Sequence, residues 1–192
     1  MSAALQDPMI GPHTIEDWLD LPPSEDGSRT ELIFGYFYVT PPPSGEHQVV
    51  AFNLAVTIRD ALRAAERREL HVVPGVGVKI SSTMRTALIP DVVVLDRRPV
   101  GASFPPEALI MAVEIWSPGN KRAEREAKMA AYASAGVPFV WTIEQRAELN
   151  LTSYRLVQDH YVAENTVREA GPTTITAAPV PVTVDLDAVL DS

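Results

Sequence analysis

Ile89-Pro90-Asp91-Val92-Val93-Val94-Leu95 and Leu109-Ile110-Met111-Ala112-Val113-Glu114-Ile115-Trp116-Ser117-Pro118 decide how this chain is read. Both are apolar runs of strand length, and each carries one acid. A carboxylate is too costly in an apolar core to stand there without a partner. Two of them on neighbouring strands repel unless a cation or a shared proton reconciles them. A divalent cation is the simplest reconciliation. The charged, Ala-rich segment 120–135 follows at once and reads as a helix. Ser117-Pro118-Gly119 turns the chain directly into it, which packs the helix beside the strand end and brings Lys128 to the two acids.

Each residue has a plainer alternative. Asp91 follows a proline, so it could open a strand with its carboxylate in water. Glu114 could pair with an arginine in a structural salt bridge. Lys128 alone would be a solvated helix lysine. The three gain force together, because Glu114 lies in the most apolar stretch of the chain.

Working outward, residues 1–13 read as a flexible arm and 14–192 as one domain. Thr14-Ile15-Glu16-Asp17 resembles a capping box opening a short helix. Residues 30–34 and 36–40 flank Gly35 and are rich in strand formers, which predicts a β-hairpin. The recurrence of Val50, Leu54, Ile58 and Leu62 predicts a long helix over 44–69. Short strands are expected over 70–73, 76–80 and 87–95, then a proline-rich loop over 97–106. A buried strand over 108–116 follows. Gly136 caps the second long helix, and Pro138 prevents its return. Residues 139–143 read as a strand, 148–156 and 161–167 as a surface hairpin, 172–181 as a connector, and 182–190 as a strand with a closing helix. The fold class expected is α/β (α+β): a mixed β-sheet core flanked by helices, with an N-terminal β-hairpin and a C-terminal β extension.

Composition narrows the function. Of 192 residues, 46% are hydrophobic and 21% charged, as in an ordinary globule. No apolar run is long enough to span a bilayer, and the N-terminus has neither a basic start nor an apolar core of a signal peptide. The chain has no cysteine, which excludes disulfides and thiolate metal sites and fits a cytoplasmic location. The formal net charge of −9 sits poorly with duplex DNA, where phosphate neutralisation supplies much of the affinity. There is no Walker loop, no Gly-x-Gly-x-x-Gly and no Gly-x-Ser-x-Gly; Gly75-Val76-Gly77 reads as a turn. Glu31 on the hairpin and His47 in the first turn of the long helix form a second pair of interest. His13, His71 and His160 show no metal-ligand spacing.

Several pieces in order resemble the Uma family of putative restriction endonucleases, formerly a domain of unknown function, placed in the PD-(D/E)XK nuclease superfamily. They are Thr30-Glu-Leu-Ile-Phe-Gly35, His47-Gln48, Pro90-Asp-Val-Val-Val94, Val113-Glu-Ile-Trp-Ser-Pro118, Lys128-Met-Ala-Ala-Tyr132, Ala135-Gly-Val-Pro138 and Val140-Trp141. The resemblance covers residues 14–190. It implies a restriction-endonuclease-like fold, a nuclease-like domain over 14–192, and a Mg²⁺ site with Mn²⁺ as substitute. Asp91 and Glu114 take the place of the two motif acids. The superfamily lysine would stand two residues after Glu114, where this chain has Trp116; Lys128 on the next helix matches the moved cation. Glu31 resembles the additional N-terminal acid, His47 a histidine frequent in the family, and Glu124 stands where relatives commonly have Asp.

Together these imply an endonuclease that hydrolyses DNA phosphodiester bonds at Asp91, Glu114, Lys128 and Glu31. Asp91, Glu114 and the carbonyl of Ile115 would hold the metal, with His47, Glu124 and Ser117 in support. Lys128 would orient the attacking water or stabilise developing charge, and Glu31 would complete the metal shell or anchor Lys128. A homodimer is expected from size and family, its interface at the C-terminal β region or the hairpin near Tyr36. Two other readings stand: a nuclease-fold binding or assembly module with little catalysis, and a hydrolase of another phosphate ester. Lys121, Arg122, Arg125, Arg59, Arg63 and Arg67 discriminate. Lining one groove beside Glu114, they favour nucleic acid; scattered, they favour the module.

Overall fold

The computed structural model describes residues 3–4, 12–145 and 149–191. Its elements in chain order are β1 (Ala3–Ala4), α1 (Ile15–Leu19), β2 (Arg29–Ile33), β3 (Tyr36–Thr40), α2 (Gly45–Ala64), β4 (His71–Pro74), β5 (Gly77–Ser81), β6 (Thr86–Leu88), β7 (Val92–Leu95) and β8 (Ser103–Phe104). After a 3-10 turn at Pro106–Ala108 come β9 (Leu109–Trp116), α3 (Arg122–Ser134), β10 (Phe139–Gln145), β11 (Leu149–Val157), β12 (His160–Val167), β13 (Thr173–Ile175), β14 (Val182–Val184) and α4 (Leu186–Leu190). Most of the expected arm, residues 1–2 and 5–11, lies outside the described residues, as does Glu148 at the start of the expected hairpin.

The main sheet runs β12-β11-β10-β9-β7-β4. Its one parallel pair is β9 with β10, joined through α3, and Glu114 faces Thr142 in that register. The side chains of β7 alternate: Val92 and Val94 pack under α2, Val93 and Leu95 under α3 and the second sheet. The same alternation puts Met111, Val113 and Ile115 of β9 on the α2 side, beside Val50, Leu54, Ile58 and Leu62. Burial on both faces is why these strands read as continuous apolar runs. Glu114 is left pointing at α3.

The second sheet, β1-β3-β2-β6-β5-β8, carries the expected hairpin. Phe34 and Gly35 form its two-residue turn with φ of 51° and 83°, while Ile33 pairs with Tyr36. Two consecutive positive φ angles are those of a type I′ turn, which matches the twist of the strands. The Thr14–Asp17 capping box is present, and Ser44 caps α2 through the N–H of His47. Gly136, at φ 73°, ends α3 as expected.

Four details differ from the sequence expectation. The run 87–95 is not one strand. β6 belongs to the hairpin sheet and β7 to the main sheet, and the chain changes sheets at Ile89-Pro90-Asp91. Pro90 has no N–H for a ladder bond, so pairing stops there. The loop 97–106 contains β8, which pairs parallel with β5. The connector 172–181 contains β13, paired with β14. The long helices are also shorter than expected, by a turn at the C-terminus of α2.

Candidate active site

The change of sheet at Pro90 places Asp91 where both sheets and α2 meet. Its N–H donates to the Val113 carbonyl at 3.0 Å, which docks it beside β9. Asp91 Oδ2 accepts from the Ile115 N–H at 2.8 Å. Oδ1 meets Arg29 Nη1 at 2.7 Å and His47 Nε2 at 2.8 Å. Burial pushes the Asp91 carboxyl up, but the His47 contact, the Ile115 N–H and the Arg29 charge outweigh it, and the net shift is downward.

Glu114 lies on the adjacent strand. Its Oε2 accepts from Lys128 Nζ at 3.1 Å, and its Oε1 from the Tyr132 hydroxyl at 2.5 Å. Lys128 Nζ also meets Glu31 Oε2 at 2.7 Å. Glu31 Oε1 in turn accepts the Ile89 N–H at 2.7 Å, replacing the strand partner lost where the chain changes sheets. Lys128, Glu31 and Glu114 are 5%, 3% and 2% exposed, so this is a buried three-membered ion network. Lys128 Nζ also stands 5.4 Å from the centre of the Trp116 ring. The indole thus flanks the ammonium instead of carrying a cation itself.

Burial raises the Glu114 carboxyl, the charges of Glu31 and Asp91 raise it further, and Lys128 and Tyr132 pull it back; it settles at about 8. Burial opposes the Lys128 ammonium, but Glu114 and Glu31 outweigh that and hold it charged well above the ordinary lysine range. Burial and the same carboxylates push the Tyr132 hydroxyl up, so it stays a donor. The sign for Glu114 follows. Its folded value lies above the ordinary 4.5, so the folded state holds an extra proton between those values. That contribution to stability is complete below the ordinary value and is lost as pH rises through about 8. Asp91 works oppositely, losing its contribution as pH falls through its folded value. In metal-free buffer the melting temperature should therefore fall from about pH 6 to about pH 9, and Glu114→Gln should flatten that decline. Thermal melts across this range check it; equal slopes in both proteins would refute the assignment.

Asp91, Glu114, Lys128 and Glu31 line a cleft of about 250 Å³ with Arg29, Thr40 to Ser44, His47, Ile115 to Ser117, Gly119 and Asn120. Asp91, Glu114, Lys128, Glu31, His47, Ile115 and Ser117 are therefore brought together. Glu124 does not line the cleft: it accepts from Asn120 Nδ2 at 2.9 Å, while Asn120 Oδ1 accepts from the Ser117 N–H and hydroxyl. Glu124 thus braces the Ser117–Asn120 wall from behind.

Arg29, Tyr132 and Asn120 were not singled out from sequence. Signals existed for two of them. Arg29 is two residues from Glu31 on a strand, hence on its face. Tyr132 is four residues from Lys128 on a helix, hence beside it. The six discriminating basic residues do not line the cleft. Arg59 and Arg63 pair with Asp60, Arg67 with Glu69, and Arg122 with Glu126. Arg125 is not solvent-facing either: it pairs with Glu144, donates to the Ser117 carbonyl and lies 5.5 Å from the Trp116 ring centre.

Among the described residues, no group of three or more His, Cys, Asp and Glu is placed to hold a metal ion. Magnesium asks for less. It commonly takes one or two carboxylates and completes its shell with waters and substrate oxygens. Asp91 Oδ2 and both Glu114 oxygens each accept a single hydrogen bond and retain a lone pair. Paired buried carboxylates with spare lone pairs, one of them raised by negative neighbours, are a donor set that fits a hard divalent cation.

A search of the solved structures finds a crystal structure titled as a putative nuclease belonging to DUF820 from Anabaena variabilis ATCC 29413. It is 18% identical, with a TM-score of 0.70, over 93% of this chain and 98% of that one. At that identity the likeness shows the fold: a mixed α+β architecture of mixed sheets flanked by helices. No curated protein matches, and no helix among the described residues is long and apolar enough to cross a membrane. The profile of one protein family matches residues 15–188, most of the chain and all of the cleft. The chain belongs to that family, Uma2, described as putative restriction endonucleases.

Proposed function

We propose that this protein is a Mg²⁺-dependent endonuclease that hydrolyses DNA phosphodiester bonds in the cleft around Asp91, Glu114 and Lys128. The observation that carries the proposal is convergence. Acids from β2, β9 and the sheet crossing, and a lysine from α3, meet in one buried cluster that opens to a cleft. Asp91, Glu114 and the Ile115 carbonyl would hold Mg²⁺, with Mn²⁺ as substitute. The bound cation would supply Lewis-acid polarisation of a phosphoryl oxygen and a more acidic water.

The chain's own residues do the rest. Lys128 bridges Glu31 and Glu114 and fixes both side chains in place. Tyr132 orients Glu114 through its hydroxyl, and His47 and Arg29 orient Asp91. Asn120, braced by Glu124, shapes the cleft wall at Ser117. A homodimer would present two such clefts to the two strands of a duplex, and a cytoplasmic location suits a cysteine-free chain. We further take residues 14–192 as one domain, with 1–13 as its arm.

The test is nicking and cleavage of supercoiled and linear DNA with Mg²⁺ or Mn²⁺. Activity should appear with either ion and vanish in excess EDTA. Persistent absence with both ions and both substrates, in folded protein, would refute the reading. One observation favours a second reading, a nuclease-fold binding or assembly module: the basic residues are scattered, on a chain of net charge −9. That reading predicts no cleavage under any of these conditions. Tolerance of Lys128→Ala does not separate the two, because Lys128 supports the buried acids in either case.

A further inference from the structure

The cleft holds two permanent cations, and they are engaged in opposite ways. Lys128 is 5% exposed and its ammonium is shared between Glu31 and Glu114 with the Trp116 ring alongside. It has little left to offer a substrate. The Arg29 side chain is 24% exposed and lines the cleft. Its side chain makes a single hydrogen bond among the described residues, from Nη1 to Asp91 Oδ1. That contact is one-point: Arg29 meets Oδ1 alone, while Asp91 Oδ2 accepts from the Ile115 N–H. A guanidinium carries five donors in a planar fork matched to two oxygens at once. Among the described residues the other donors of Arg29 make no further hydrogen bond; Nη2 lies beside Gly75, and the side chain as a whole lines the cleft.

The strand explains the placement. Arg29 and Glu31 stand two apart on β2, so both side chains fall on one face. Glu31 reaches the lysine, and Arg29 reaches the mouth of the same cluster at Asp91. One strand thus sets both cations.

We propose that Arg29 is the residue that grips the substrate's phosphate, a bidentate ligand for a nucleic-acid phosphodiester, while Lys128 is a structural tie between Glu31 and Glu114. The proposal rests on the nuclease reading above and names the contact that would hold that substrate. It moves the substrate-facing role from the lysine on α3 to the arginine on β2.

The salt dependence of binding separates a phosphate contact from mere support of Asp91. Each phosphate neutralised on a single strand contributes about 0.7 to the slope of log Kd against log salt. The probe is a fluorescein-labelled single-stranded deoxyoligonucleotide, followed by anisotropy with Ca²⁺ fixed in place of Mg²⁺. Arg29→Gln should lower the slope by about 0.7, and Arg59→Gln, a surface control, should leave it unchanged. Arg29→Lys should keep the slope and weaken binding about tenfold, since charge survives and the fork does not. Should Arg29→Gln fail to fold, Arg29→Lys decides: wild-type affinity in that variant overturns the proposal. An unchanged slope in folded Arg29→Gln also overturns it while leaving the nuclease reading intact. No binding of the oligonucleotide by wild type would overturn the proposal, while the nuclease reading stands or falls on the cleavage test above.

Discussion

Lys128→Met should destabilise the fold by about 3–5 kcal/mol, the largest effect expected of any single change in the cleft. The reason is what it leaves behind. Glu31 and Glu114 are both buried and would face each other with no ammonium between them. Removing one partner of a buried ion network costs about that much, because uncompensated charge remains out of water. The methionine fills the space, so little of the loss comes from a cavity. Chemical denaturation at pH 7 measures it. Adding Glu31→Gln to Lys128→Met should restore much of the stability, since the stranded charge goes too; Glu114, held at about 8, is already largely protonated at pH 7. If Lys128→Met alone is as stable as wild type, the lysine is not the tie the structure indicates.

Glu114→Gln should separate stability from activity. The substitution keeps shape, but its one amide oxygen can accept from only one of Tyr132 and Lys128, and its NH2 faces the other. It also removes a carboxyl that burial and two acid neighbours hold at about 8. Relative to wild type, its stability should gain progressively as pH rises from the ordinary glutamate value to about 8, the range over which wild type must take up a proton to fold. Metal-dependent cleavage should fall by more than about a hundredfold, beyond the 10–100-fold typical of residues that merely support metal ligands. Asp91→Asn should lose cleavage likewise, but at some cost to the fold, because Arg29 and His47 lose a charged acceptor. Retained cleavage in both variants would remove these acids from the chemistry.

Much of this was legible in the sequence, for a physical reason. Asp91 and Glu114 stood out because charge in an apolar run needs an explanation, and the structure supplies one in Arg29, His47, Lys128 and Tyr132. Gly35 marked a tight turn and Thr14–Asp17 a capping box because both are set by local chemistry. Less visible was anything decided by distant pairing. Residues 87–95 look like one strand in composition, and only Pro90 hinted that the chain leaves one sheet for another there. Arg29 resembled a solvated residue at a strand start, and Tyr132 a core aromatic on a helix. Their roles depend on neighbours that are 62 and 18 residues away along the chain. Likewise β8 and β13 are too short to announce themselves and exist because β5 and β14 offer edges to pair with.

Asp91 and Glu114 are proposed to form a divalent-cation site. Calorimetric titration of Mg²⁺ and Mn²⁺ into wild type and Glu114→Gln, with and without a short DNA duplex, tests it most directly. The account predicts binding to wild type, strengthened by the duplex because a phosphate oxygen can complete the shell, and lost in Glu114→Gln. Folded wild type that takes up neither ion even with the duplex present would contradict it.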